Sequence, residues 1–290
     1  MNILVLGANG MAGHTIALYF IEKGHSVTTL TRKPLDIGIN VNLSINAENS
    51  EELKNIIIEK EFDAVINCIG ILNQNAEENK DTAIFLNSYL PHFLSNITKN
   101  SKTKIVHMST DCVFSGSEGN YQENSIKDGY TFYDRTKALG ELSNNKDLTF
   151  RNSIIGPDMN KDGIGLFNWF MQQSDSIDGF EKAIWTGVTT VTLARAMEAA
   201  IIQNVTGLYN LVNNEKINKF EMLIIFNEIF KNNEVIINSN NHVVIDKSLL
   251  NTRKDFEFEI PSYKEMFIEM HDWIVTHKDY YKHYFINNHN

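Results

Sequence analysis

A short apolar run that meets glycine at once constrains this chain more than any other feature. Ile3-Leu4-Val5-Leu6 is a continuous set of strand formers, and Gly7, Gly10 and Gly13 follow in a GxxGxxG spacing. Residues 15–21 then have the character of a helix. A strand this short, apolar on both faces and closed by glycine, is expected to lie inside a parallel sheet. Strand, glycine turn and helix in that order open a dinucleotide-binding βαβ unit. Each glycine has its own job there. Gly7 lets the backbone turn sharply, Gly10 removes a side chain where a pyrophosphate must approach, and Gly13 lets the helix sit close to the sheet. The helix N-terminus offers free N–H groups to phosphate, and Asn9 and Met11 between the glycines join the expected cofactor contacts.

The expected class is therefore α/β, a Rossmann doubly wound parallel sheet with a smaller C-terminal α/β substrate lobe. At 290 residues the chain is long enough for both. The reading assigns 1–157 and a returning segment at about 186–212 to the cofactor-binding domain, and 158–185 with 213–290 to the substrate lobe. A net charge of -10 with no basic block argues against nucleic acid. Cys68 and Cys112 are the only cysteines, too few for a disulfide framework or a zinc set. His271, His277 and His283 are too widely spaced for a metal site, so no metal is expected. No apolar run reaches membrane-spanning length and nothing precedes the first strand to act as a leader, so a cytoplasmic protein is expected.

Further strands are expected at 27–30, 63–70, 104–108 and 148–155, with a serine-capped helix from Ser50 to about residue 60. Residues 77–100 are helical in period, with Pro91 as a kink or break and Asn87 a polar residue within the stretch. The second strand runs out into Thr31-Arg32-Lys33, where an NAD site would carry an acidic residue. A guanidinium can pair with a 2′-phosphate, so Arg32 points to NADP(H). The strand ending in Cys68, Ile69 and Gly70 lines the cofactor crevice, with Cys68 read as a small buried apolar residue.

Tyr133 and Lys137 lie four apart, one above the other on a helix. A tyrosine has a pKa of about 10. An ammonium within roughly 4–6 Å favours the phenolate and lowers that value, which suits the phenol to proton transfer at a substrate oxygen. Thr110, delivered by the strand before it, can bond the same oxygen. In the later part of the chain, Trp169 and Trp185 are candidate ring walls for a ligand.

These motifs in series, GANGMAG (7–13), INCIG (66–70), Asn87 in FLNSYLP, STDCVFSG (109–116), YDRTK (133–137) and RNSIIGP (151–157), resemble the extended, nucleotide-sugar branch of the short-chain dehydrogenase/reductases. The STD-VF-G segment looks most like the dTDP-4-dehydrorhamnose reductases and their relatives. The resemblance implies NADPH-dependent reduction of a 4-keto-6-deoxy nucleotide sugar, with Thr110, Tyr133 and Lys137 as the catalytic set. Tyr133 and Lys137 also touch the cofactor, and Asn87, Asp111, Cys112 and Trp185 lie toward the substrate. The expected partner is the nucleotide sugar, with neither nucleic acid nor membrane, and a homodimer stays open. Two departures qualify the match. Cys112 stands where the rhamnose-type reductases usually have tyrosine; the GDP-fucose synthases place an acid/base cysteine there, which leaves an epimerase or epimerase/reductase open. Asp111 is followed by cysteine where the dehydratases have glutamate, which disfavours dehydration. A non-catalytic NADP(H)-sensing regulator is the remaining alternative, against which the Tyr and Lys both count.

Overall fold

The computed structural model describes residues 1–35, 37–38 and 41–284. Six strands, β1 (Asn2–Leu6), β2 (Ser26–Thr31), β3 (Val41–Ser44), β4 (Ala64–Asn67), β5 (Lys104–Met108) and β6 (Leu148–Arg151), join a seventh at Gly207–Asn210. They form one sheet in the order Gly207–Asn210, β6, β5, β4, β1, β2, β3. Every pairing in it is parallel. The strand order reverses between β1 and β4, and a crevice beyond the carboxyl ends of the strands at such a point is where nucleotides bind in doubly wound sheets. The apolar run of β1 is fully buried, as a strand covered by helices on both faces must be.

Helix α1 (Met11–Glu22) starts four residues earlier than the sequence suggests, with Gly10 as its N-cap, so Gly13 lies inside the first turn. Residues 12–20 are buried all round, which places α1 between two layers rather than on a surface. On its outer side lies the helix Thr190–Ile202: Tyr19 donates to Glu198 at 2.7 Å, and His25 Nε2 meets the same carboxylate at 2.6 Å. The C-terminal helix Tyr263–Thr276 and the segment after it close over the start of α1. Trp273 Nε1 donates to the Tyr281 hydroxyl at 3.0 Å, which lies 2.7 Å from His14 Nε2, while His14 Nδ1 lies 2.9 Å from the Gly10 carbonyl. With the Tyr281 oxygen accepting from the indole, its proton goes to Nε2, and Nδ1–H donates to Gly10. Burial lowers the His14 pKa to about 4, so the ring stays neutral.

Several boundaries differ from expectation for identifiable reasons. The helix Ser50–Lys60 is capped by Asn49, whose side chain accepts from Glu52 N, rather than by Ser50. The helical stretch before β5 is broken into short pieces, with a π-helical turn at Ile84–Tyr89 immediately before Leu90–Ile97, in whose first turn Pro91 sits. The expected strand 148–155 splits, because after Arg151 the chain leaves the sheet and Ile154–Ile155 pairs with Val188–Thr189. Beyond it, Ala183–Trp185 pairs with Ile217–Asn218 and Ile245–Asp246, and Ser176–Phe180 pairs with Ile236–Asn240. The C-terminal helix ends at Thr276. No helix of the described chain is long and apolar enough to cross a membrane.

Candidate active site

The glycine turn is held by contacts that only glycine permits. Gly7 has φ +78°, and a Cβ there would come within 3.0 Å of Ile69 Cγ1 and 3.1 Å of Ile69 N, at the end of β4. A Cβ on Gly13 would sit 2.3 Å from the Gly7 carbonyl and 2.8 Å from Ala8 Cα. A Cβ on Gly10 would meet nothing closer than the Gly7 carbonyl at 3.4 Å, so the backbone there is open to a phosphate. Gly13→Ala is a clean test because two effects oppose. In a helix interior alanine is favoured over glycine by about 1 kcal/mol, whereas a backbone clash that the turn must absorb costs roughly 1–3 kcal/mol. The variant is expected to unfold at lower temperature and to bind NADPH at least tenfold more weakly. Calorimetric melting and a fluorescence titration check both, and an unchanged Kd would show that the turn relaxes freely.

Asn9 Nδ2 donates to Lys33 O at 3.2 Å, and Thr31 Oγ1 to the same carbonyl at 2.6 Å, tying the loop after β2 to the glycine turn. Arg32 and Lys33 are exposed in that loop. Met11 flanks the turn on the side of Gly165, whose Cβ would lie 3.6 Å from its sulfur. Cys68, Ile69 and Gly70 follow β4 into the crevice, and burial pushes the Cys68 thiol up to about 12, the inert form expected of it.

Asn87 is the buried polar residue of the π-helical turn. Its Oδ1 accepts from Ile71 N at 3.0 Å. Its Nδ2 donates to Ile71 O at 3.0 Å and to Thr136 Oγ1 at 3.1 Å. Asn87 therefore fixes both the segment after β4 and the helix Phe132–Leu139, and a π turn of this kind commonly marks a functional position. That helix begins with a reciprocal cap between Thr131 and Asp134. It packs so closely that a Cβ on Gly140, just past its end, would fall 1.9 Å from the Asn87 carbonyl.

Tyr133 and Lys137 lie on this helix, and Thr110 follows β5. The Tyr133 phenol faces Thr110, Cys112 and Asp111. Thr110 Oγ1 in turn accepts from Cys112 N at 3.2 Å and lies 3.1 Å from Asp111 Oδ1. The electrostatics correct one expectation. Lys137 does not depress the phenol: burial pushes Tyr133 above its usual value, and Cys112 adds to the rise. The reason is geometric, since Lys137 Nζ donates to the Met108 carbonyl at 2.6 Å and is itself lowered to about 8 by burial, against Glu141 and Cys68. Cys112 is pushed up to about 12, first by burial and then by Asp111, so its thiol is a neutral donor rather than a base.

A buried ion pair holds these parts in register. Glu141 takes Arg151 Nε and Nη2 at 2.8 Å each, Ser109 Oγ at 2.7 Å and Lys127 Nζ at 3.0 Å. Arg151 is 1% exposed, lies 4.9 Å from the Phe114 ring and reaches Asn210 Oδ1 at 3.3 Å. The turn after β5, the Tyr133 helix, β6 and, through Arg151, the strand Gly207–Asn210 are thus tied to one carboxylate. Sequence reasoning missed this pair, whose partners lie ten residues apart in two different elements. It also missed Asn152, buried one residue past β6 with neither amide atom hydrogen-bonded among the described residues. Trp185 is buried against Tyr263, 5.6 Å between ring centroids, with Lys219 Nζ 5.5 Å from its ring; Trp169 is 41% exposed. Lys219 had no signal in the sequence, because nothing local distinguishes it from a surface lysine.

The model of the RmlD substrate-binding domain matches residues 1–244. The chain belongs to that family. Its curated relatives include a probable low-salt glycan biosynthesis reductase Agl14 from Haloferax volcanii, 28% identical over 146 residues, 49% of this chain and 48% of that one. A dTDP-4-dehydrorhamnose reductase from Burkholderia thailandensis is 26% identical over 219 residues, 72% and 70% of the two chains. For the first of these and most others, the chain spans about half the length of the curated relatives it matches. Among solved structures, a dTDP-4-dehydrorhamnose reductase from Bacillus anthracis in complex with NADP has a TM-score of 0.77 at 20% identity, covering 95% of this chain and 99% of that one. A dTDP-glucose 4,6-dehydratase from the same organism, with NAD, reaches 0.75 at 14% identity, covering 97% and 99%. Members of this fold family therefore share a backbone across different chemistries, and only the side chains in the crevice can separate them.

Proposed function

We propose that this chain is an NADPH-dependent reductase of a 4-keto-(6-deoxy) nucleotide sugar, with residues 1–157 and about 186–212 as its cofactor half. The observation that carries the reading is that the Tyr133 phenol faces Thr110, which follows β5 at its carboxyl end, with Lys137 one helical turn along. The reductases named among its relatives support the substrate class. The open backbone at Gly10, the N-terminus of the twelve-residue α1 and the exposed Arg32 fit a dinucleotide with a 2′-phosphate.

Bound NADPH supplies a hydride to the substrate carbonyl carbon. The chain supplies the rest. Tyr133 gives the carbonyl oxygen a proton, and its raised pKa keeps that proton in place until the oxygen gains charge. Thr110 bonds the same oxygen. Lys137, anchored at Met108 and charged below about pH 8, is assigned to the cofactor, one helical turn from the phenol. Asn87 keeps the Tyr133 helix and the crevice wall at fixed separation.

Oxidation of NADPH on addition of a dTDP-4-keto-6-deoxyhexose, followed at the nicotinamide absorbance, tests the proposal; no oxidation with any nucleoside series would overturn it. In the same assay Arg32→Asp is expected to raise the KM for NADPH by roughly 5–150-fold, the loss of about 1–3 kcal/mol of a charge-assisted contact, with NADH little affected. An unchanged NADPH/NADH ratio would remove Arg32 from the cofactor site.

A further inference from the structure

Lys219 is placed where a lysine has little to gain. It is the first residue of the helix Lys219–Lys231, capped by Asn218, whose side chain accepts from Glu221 N at 2.8 Å. At that position the partial positive charge of the helix end opposes an ammonium. Its Nζ lies 5.5 Å from the centroid of the Trp185 ring and makes no hydrogen bond or ion pair among the described residues. The titratable groups that face it are Asp111 and Cys112, from the turn after β5. Lys247, just past Ile245–Asp246, faces the same two residues. Two cations therefore converge on one buried carboxylate. They do so beside the Tyr133 phenol, whose own neighbours include Asp111 and Cys112. Burial pushes the Asp111 carboxyl above its usual range, so the two ammonium groups are not balanced by it, in a crevice expected to take an anionic substrate.

We propose that Lys219, with Lys247 facing the same carboxylate, receives the diphosphate of the nucleotide sugar. This rests on the substrate class proposed above. Three physical features support it. A diphosphate offers several charge-assisted acceptors to an ammonium that has none. It balances the excess cation at Asp111. It also reverses the cost of keeping Lys219 charged: burial lowers the free residue to about 8, against the opposing pull of Asp111, and an adjacent anion raises it again. The sign follows. Below about pH 8 the ammonium is already present and binding needs no proton. Above it the free lysine is largely neutral, so binding draws a proton from solvent and weakens about tenfold for each further pH unit.

The test is calorimetric titration of the NADPH-saturated protein with dTDP, UDP, GDP and CDP at pH 7 and pH 9, in two buffers of different ionisation enthalpy. At least one of the four is expected to bind about tenfold more weakly at pH 9, with uptake of close to one proton there. Lys219→Met is expected to weaken it more than tenfold at pH 7 and to abolish the uptake. Lys219→Arg keeps the charge at both pH values, so it should retain affinity and lose the pH dependence. An unchanged Kd in Lys219→Met, or proton uptake that persists in Lys219→Arg, overturns the assignment of Lys219 and leaves the reductase reading standing. Failure of all four diphosphates to bind the wild-type protein overturns the nucleotide-sugar reading and the inference together.

Discussion

Tyr133→Phe is expected to lower turnover by roughly 10²–10⁴-fold, the usual worth of a positioned proton donor, while leaving the Kd for NADPH within about twofold. The substitution removes one oxygen and keeps the ring that packs against Ala76 and Ala83, so the helix and its cap at Thr131 should stand. What disappears is the proton. Burial makes the phenol a weaker acid than free tyrosine, so it does not ionise in the physiological range, and its proton is released only as the substrate oxygen becomes basic. Thr110 remains and can still bond the oxygen, which is why a residual rate is expected. Steady-state turnover and a fluorescence titration of NADPH, run on the same preparation, separate the two quantities. Turnover within threefold of wild type would dismiss Tyr133 as the donor.

The largest expected effect on stability belongs to Glu141→Ala. Removing the carboxylate leaves Arg151, 1% exposed, without its counter-charge, and breaking one side of a buried pair costs roughly 3–5 kcal/mol. For a chain of this size that corresponds to a melting temperature lower by roughly 6–15 °C. Ser109 loses its acceptor at the same time, one residue before Thr110, so turnover should fall beyond what stability alone explains. Replacing both partners, as Glu141→Leu with Arg151→Met, removes the stranded charge, and apolar substitutes for a buried pair are often neutral or better. Its melting point should recover toward wild type while activity stays low. A single variant that melts within about 2 °C of wild type would show that Lys127, water or a shifted backbone takes over the role of the pair.

The sequence made β1, the glycine turn and the parallel α/β sheet readable because each depends on a local pattern: an unbroken apolar run, glycine spacing, and a helix directly after them. Tyr133 and Lys137 were legible for the same reason, since i and i+4 on one helix is a local relation. The tone of the site was not. Whether Lys137 lowers the Tyr133 pKa depends on where its ammonium goes, and it goes to Met108 O, on a strand 29 residues away. The split of the strand expected at 148–155 was equally hidden, because it is decided by pairing with Val188–Thr189. Lys219, Arg151 with Glu141, and the orphaned amide of Asn152 gain meaning only from burial, which no local pattern carries.

The hydrogen-bonded line from Trp273 through Tyr281 and His14 to the Gly10 carbonyl has a consequence for biosynthesis. A ribosome adds roughly 5–20 residues per second, and His14 and Tyr281 are 267 residues apart. Between the first appearance of the glycine turn and the arrival of its distant strut, roughly 10–50 s pass. For most of that interval, until residue 202 is made, the apolar surface of α1 also lacks the helix Thr190–Ile202. A nascent chain that stalls before Thr190 thus carries the whole phosphate-binding motif with neither its covering helix nor the brace that completes it.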